Sequence, residues 1–121
     1  MASFKYVILY VKDIVVSKSF YSMLLGLTAK ELSPTFVSYE LESGLVLELW
    51  QLDKVQPPAS FSGSGGEICM VLPDSISLQS SYEKWKKKGV TFVSEPTRAV
   101  FGMTFVALDP DGHRLRVNAG I

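Results

Sequence analysis

The chain has 121 residues, with 12 Lys+Arg balanced by 12 Asp+Glu and a single cysteine. That length fits one domain able to bury roughly two-thirds of its unfolded surface. The charge balance and the confinement of the cationic run to Lys84–Lys88 argue against a nucleic-acid binder, and one cysteine excludes an internal disulfide.

The opening Met-Ala-Ser-Phe-Lys-Tyr leads straight into a β-branched and aromatic run, Tyr6–Val11, which reads as a strand. It has no apolar h-region, and no long apolar span follows, so a soluble, cytoplasmic protein without membrane contact is expected. Asp13 and Ser17 are candidate caps for a helix reaching about Leu25. Val16, Phe20 and Leu24 recur at helical spacing on one face, and Gly26 supplies the stop. Pro34 then opens a pair of strands, Phe36–Leu41 and Leu45–Gln51, turned at Glu42-Ser-Gly44. Val55–Gly66, with two prolines, three serines and three glycines, has linker composition. Its Gly63-Ser-Gly-Gly66 precedes a strand rather than a helix, so it lacks the helix N-terminus a phosphate loop needs.

After the linker the order repeats. Glu67–Leu72 reads as a strand, in whose apolar run Cys69 is expected as a buried, inert thiol. Ser77–Lys88 reads as a helix burying Leu78, Tyr82 and Trp85, with lysines suited to the dipole at its end and Gly89 as a stop. A short strand Thr91–Ser94 precedes a hairpin of Met103–Leu108 and Arg114–Asn118 about Asp109-Pro-Asp-Gly112. There Pro110 fixes φ and Gly112 accepts φ > 0. The halves superpose as sequence. Tyr6-Val-Ile-Leu-Tyr-Val-Lys-Asp13 lies over Glu67-Ile-Cys-Met-Val-Leu-Pro-Asp74, Gly26 over Gly89, Pro34 over Pro96, and Gly44–Trp50 over Gly112–Asn118. The chain is a duplicated βαβββ unit: module one at about 1–54, a linker at about 55–66, module two at about 67–121.

Strand parity separates two faces. Val7, Leu9, Val11, Leu45, Leu47, Leu49, Ile68, Met70, Leu72, Leu115 and Val117 form an aliphatic face for the helices to cover. The other parity carries Tyr6, Ile8, Tyr10, Val46, Glu48, Trp50, Glu67, Cys69, Val71, Arg114, Arg116 and Asn118. Its mixture of aromatic and charged groups fits a cleft for a flat, partly polar molecule, or a dimer interface. His113, the only histidine, has the opposite parity. No nucleophile elbow, Cys/His pair or other catalytic constellation appears.

The Asp-Pro-Asp-Gly hairpin, together with Val11-Lys-Asp13 and Ser17-Lys-Ser-Phe-Tyr-Ser-Met-Leu-Leu-Gly26, resembles the vicinal oxygen chelate superfamily. That group holds glyoxalase I, fosfomycin-modifying enzymes, extradiol dioxygenases and bleomycin-resistance proteins. The resemblance implies an α+β fold, two tandem βαβββ modules forming a cupped mixed sheet with helices on the convex face. Carried over, the superfamily's four metal-ligand positions fall on Tyr6, Glu48, Glu67 and Arg116. Arg116 has no lone pair to give and Tyr6 is a poor ligand at neutral pH, so no metal or other cofactor is expected. Arg116 is expected instead to pair with Glu48 or Glu67. Val100-Phe-Gly-Met-Thr-Phe105, Asp109–His113, Arg116-Val117 and Trp50 resemble the metal-free antibiotic-binding members, including the griseoluteic acid (phenazine) resistance protein. The expectation is a homodimer that sequesters a small planar aromatic compound without turnover. Trp50 would be the stacking residue, and Phe101 and Met103 would lie on a loop facing it. Phe36, Tyr39 and Phe61 are further candidate walls whose direction parity leaves open. The alternative is a metal-dependent lyase, isomerase or dioxygenase using Glu48 and Glu67.

Overall fold

The computed structural model describes residues 2–60, 65–100 and 102–119. The chain divides into two units, Met1–Ser62 and Gly63–Ile121. Module one contains β1 (Tyr6–Val11), α1 (Ile14–Leu25), β2 (Lys30–Ser33), β3 (Phe36–Glu40) and β4 (Val46–Gln51), followed by a 3-10 turn at Leu52–Lys54. Module two contains β5 (Glu67–Leu72), α2 (Ser75–Lys87), β6 (Thr91–Ala99), β7 (Gly102–Leu108) and β8 (Arg114–Ala119). The sheets have the orders β1-β4-β3-β2 and β5-β8-β7-β6. In each, the first and last strands of the module run parallel side by side, and the other pairings are antiparallel. The fold is therefore α+β, two tandem βαβββ modules. None of the described helices is long and apolar enough to cross a membrane.

Two strands depart from the sequence expectation. β2 forms before Pro34, where no strand is expected, because Lys30-Glu-Leu-Ser33 has weak strand composition and is specified only by pairing with β3. β6 runs on through Pro96 to Ala99 rather than ending at Ser94. Proline lacks a ladder donor but is tolerated at the sheet edge and at bulges, and the β6/β7 register shifts between Ser94 and Thr97.

Asp13 alone caps α1, its Oδ1 accepting from the N–H groups of Val15 and Val16 at 3.0 and 3.3 Å. Ser17 is not a cap but a buried residue of the helix. The buried stripe is Ile14, Ser17 and Tyr21, whereas Val16 is exposed, so the helix is rotated from the Val16/Phe20/Leu24 face that hydropathy favours. Small Ser17 permits close approach to the sheet, and the Tyr39 hydroxyl fixes the rotation. That hydroxyl donates to the Lys18 carbonyl at 2.9 Å and lies 2.9 Å from Ser22 Oγ. Burial raises the Tyr39 phenol above its ordinary value. At the helix start, Ile14 N–H donates to Gln51 Oε1 at 3.2 Å, joining α1 to the end of β4.

Asp74 starts α2 through a capping box with Ser77, the Ser77 N–H donating to Asp74 Oδ1 at 2.8 Å. The helix buries Leu78, Tyr82 and Trp85. Tyr82, Trp85 and Phe92 surround Phe105, which is fully buried, with ring centroids 5.5–5.7 Å from its own.

The hairpin joining β7 and β8 is organised by Asp109, a buried carboxylate. Its Oδ1 accepts from the N–H groups of Asp111 and His113 at 2.9 and 2.8 Å, and its Oδ2 lies 2.6 Å from His113 Nδ1. Gly112, at φ 84°, supplies the left-handed residue that lets the chain turn back. The Asp109 carboxylate raises the His113 pKa above its ordinary 6.5. A histidine whose folded pKa is raised stabilises the fold fully below its unfolded value and loses that contribution as pH rises through the folded one. Stability should therefore fall as pH climbs above about 6.5, a component that His113→Asn removes. NMR titration of this single histidine should give a midpoint above the ordinary 6.5, and a midpoint at or below it would contradict the pairing.

Candidate functional site

Register fixes which side chains share a face. In module one, Tyr6 lies beside Val46, Ile8 beside Glu48 and Tyr10 beside Trp50, while Phe36 opposes Trp50 and Ser38 opposes Glu48. These residues occupy the face away from α1, since Tyr39 and Leu47, opposed on the other face, are the ones α1 covers. The edge strand β1 leaves Tyr6, Ile8 and Tyr10 exposed, whereas Val46, Glu48 and Ser38 on the inner strands are buried. Trp50 is half-buried and stacks on Phe36, ring centroids 5.0 Å apart at 19° between planes. Along β2 and β3, Leu27, Thr28, Lys30, Ser38 and Glu40 line an open cleft of about 270 Å³.

The parity reading leaves Phe36 unassigned. Its direction follows from the β3/β4 hairpin, closed by Leu41 N–H to Leu45 O at 3.0 Å and Gly44 N–H to Leu41 O at 2.9 Å. Pairing outward from the Glu42-Ser-Gly44 turn would have placed Phe36 opposite Trp50 from sequence. Tyr39 is no wall of this face, being buried beneath α1. Phe61 and Phe101 lie outside the described residues.

In module two, Glu67 is beside Arg114, Cys69 beside Arg116 and Val71 beside Asn118. Arg116 makes a two-point contact with Glu67, Nε to Oε2 and Nη2 to Oε1, the latter at 3.2 Å, and its Nη1 donates to Thr104 Oγ1 at 3.2 Å. The hydrogen bonds from Arg116 hold the Glu67 carboxyl below its ordinary value and raise the guanidinium further. Two expectations are corrected here. Cys69 is exposed rather than buried, because β5 is an edge strand and this face carries no helix. Its sulfur accepts from Asn118 Nδ2 at 3.2 Å, and desolvation, then the Glu67 charge, push the thiol above its ordinary value. Met103 stands in β7 rather than on a loop. It is opposite Ala119, on the same face as Phe105 and Val117 and on the other face from Arg116.

The four positions at which the superfamily carries metal ligands are thus Tyr6 and Glu48 on one sheet and Glu67 and Arg116 on the other. This donor set does not suit a divalent ion. Arg116 offers no lone pair and a permanent positive charge, and Glu67 is already engaged by it in two contacts. A second group of potential donors, Asp109, Asp111 and His113, lies within 4.8 Å of one another, and its Asp109 carboxylate is committed to the turn.

A carboxylate with a depressed pKa stabilises the fold above its unfolded value and loses the contribution as pH falls through the folded one. The Arg116–Glu67 contact should therefore be complete at neutral pH and lost below the ordinary glutamate value of 4.5. In Arg116→Gln the Glu67 titration followed by carboxyl NMR should move up to the ordinary range. An unchanged midpoint would show that Arg116 does not set it.

The comparisons with known proteins agree with this architecture. The chain is 26% identical over 113 residues to the phenazine antibiotic resistance protein EhpR of Enterobacter agglomerans, covering 91% of this chain and 86% of that one. The solution NMR structure of protein ATC0852 from Agrobacterium tumefaciens is 40% identical, with a TM-score of 0.89 over 100% of this chain and 99% of that one. A glyoxalase-related enzyme from Fulvimarina pelagi has the same fold at 19% identity, with a TM-score of 0.86 over 99% of this chain and 89% of that one. With its residues 3–117 matching the family model, the chain belongs to the Glyoxalase/Bleomycin resistance protein/Dioxygenase superfamily.

Proposed function

We propose that this protein binds a small planar aromatic compound on the helix-free face of module one and sequesters it unchanged, as a drug-resistance binding protein of the cytoplasm. The observation that carries the reading is the Phe36/Trp50 stack on a face bordered by Tyr10. One face of the indole is packed by Phe36, which holds the ring flat at low entropic cost and leaves a platform a planar ligand can extend. The likeness to a phenazine antibiotic resistance protein supports the same ligand class.

A planar tricyclic such as phenazine should quench Trp50 fluorescence at low-micromolar concentration. Stacking contributes roughly 0.5–1.5 kcal/mol beyond area burial, so Trp50→Ala should weaken binding at least several-fold. Its melting temperature should stay close to wild type, because truncation at a half-buried position leaves no sealed cavity. A variant that melts far lower yet binds the tricyclic unchanged would refute the assignment.

Purified protein should carry no stoichiometric divalent ion, and added Ni, Zn or Mn should leave melting unchanged, since only an ion bound to the native state raises stability. One tightly held ion per subunit would favour instead a metal-dependent lyase, isomerase or dioxygenase using Glu48 and Glu67. We further propose a homodimer, motivated by the exposed aromatic and aliphatic side chains of the edge strand β1. Sedimentation at micromolar concentration should give twice the chain mass, and a monomer would exclude it.

A further inference from the structure

The cleft along β2 and β3, about 270 Å³ in volume, is placed by register relative to the Phe36/Trp50 stack. Phe36, Ser38 and Glu40 alternate onto one face of β3, so each lies a two-residue step of about 7 Å from the next. Lys30 on β2 stands directly opposite Ser38. A substituent leaving the ring platform along β3 therefore meets Lys30 and Ser38 at the first step and Glu40 at the second. The cleft is smaller than the roughly 300–1,000 Å³ that takes in a drug-sized molecule whole. It suits part of a ligand whose ring lies elsewhere on the same face.

The lining carries one charge of each sign. Lys30 and Glu40 are both exposed, and neither makes an ion pair or a hydrogen bond among the described residues. The neighbouring cation Lys18 is paired with Glu31 instead. A guest can engage Lys30 and Glu40 without first breaking a contact between them, which keeps the cost of binding low. Glu48, across Ser38 on β4, does not line the cleft. Ser38 and Thr28 add hydroxyls that donate or accept as the guest requires, and Leu27 adds methyl groups. An anionic substituent would be drawn to Lys30 and repelled by Glu40, and a cationic one the reverse. A group holding both charges a few atoms apart satisfies both.

We propose that the ligand carries a short zwitterionic tail of the amino-acid type beside its planar ring: the ring stacks on Trp50, the tail's carboxylate accepts from the Lys30 ammonium, and its ammonium donates to the Glu40 carboxylate. This rests on the aromatic-binding reading above and adds the polar half of the ligand. Four tricyclic probes test it by isothermal titration calorimetry at neutral pH: acridone as the bare ring, acridonylalanine as the zwitterion, acridonylalanine methyl ester without the carboxylate, and N-acetyl acridonylalanine without the ammonium. Wild-type protein should bind acridonylalanine at least about fivefold more tightly than acridone, the effect of two solvent-exposed ion pairs, and more tightly than either derivative. Added salt should shrink that advantage while the acridone affinity holds. Lys30→Met and Glu40→Gln, at exposed positions, should each bring acridonylalanine to within about twofold of acridone and leave acridone itself unchanged. Equal wild-type affinity for acridonylalanine and acridone, a derivative that binds as tightly as the zwitterion, or the full advantage kept in either variant would overturn the proposal while leaving the aromatic site standing. Failure of all four probes to bind would remove the aromatic site itself, and this proposal with it.

Discussion

The parallel pairing of the first and last strand of each module is the constraint on which the rest of the structure depends. Because side chains alternate with period two, a pairing that sets Tyr10 beside Trp50 also sets Leu9 beside Leu49. The leucines go under α1 and the aromatic pair goes to the other face. The same holds for Cys69 beside Arg116 and Met70 beside Val117. A slip of one residue would drive Glu48 or Arg116 beneath a helix, at the cost of desolvating a charge, and bring Leu49 or Val117 out into the site. Core and candidate site are thus two consequences of one register.

On that common frame the two modules treat charge differently. Module two closes its charges into a set: guanidinium, carboxylate and the Thr104 hydroxyl satisfy one another. Module one has its acid of the corresponding face, Glu48, opposite Ser38 rather than beside a cation. A chelating face requires lone pairs converging on one point, and Arg116 brings a fixed positive charge to one of the four superfamily positions.

The modules also anchor their helices by different means. α1, which carries polar Ser17 in its buried stripe, is oriented by the Tyr39 hydroxyl reaching the Lys18 carbonyl and Ser22. α2 is held by aromatic packing of Tyr82 and Trp85 on Phe105. Directional hydrogen bonds substitute for apolar area where the helix offers a narrow apolar stripe.

Much of this was written in local chemistry. The alternation of Tyr6–Val11, Glu67–Leu72 and Arg114–Asn118, the stops at Gly26 and Gly89, and the Asp109–Gly112 turn each act within a few residues, so the sequence by itself determined the duplicated βαβββ order. The same alternation determined that Glu48, Trp50 and Arg116 point away from the helices. What depended on distant partners was not legible. The rotation of α1 was decided by a tyrosine on β3, and the strand nature of Lys30–Ser33 by pairing with a neighbour. The exposure of Cys69 was decided by the edge position of β5, and the side taken by Met103 by its pairing with Ala119. Above all, the sequence offered Arg116 two carboxylates, and only the tertiary structure chose Glu67. The reason is geometric: β5 lies hydrogen-bonded beside β8, within reach of the guanidinium, while Glu48 belongs to a different sheet.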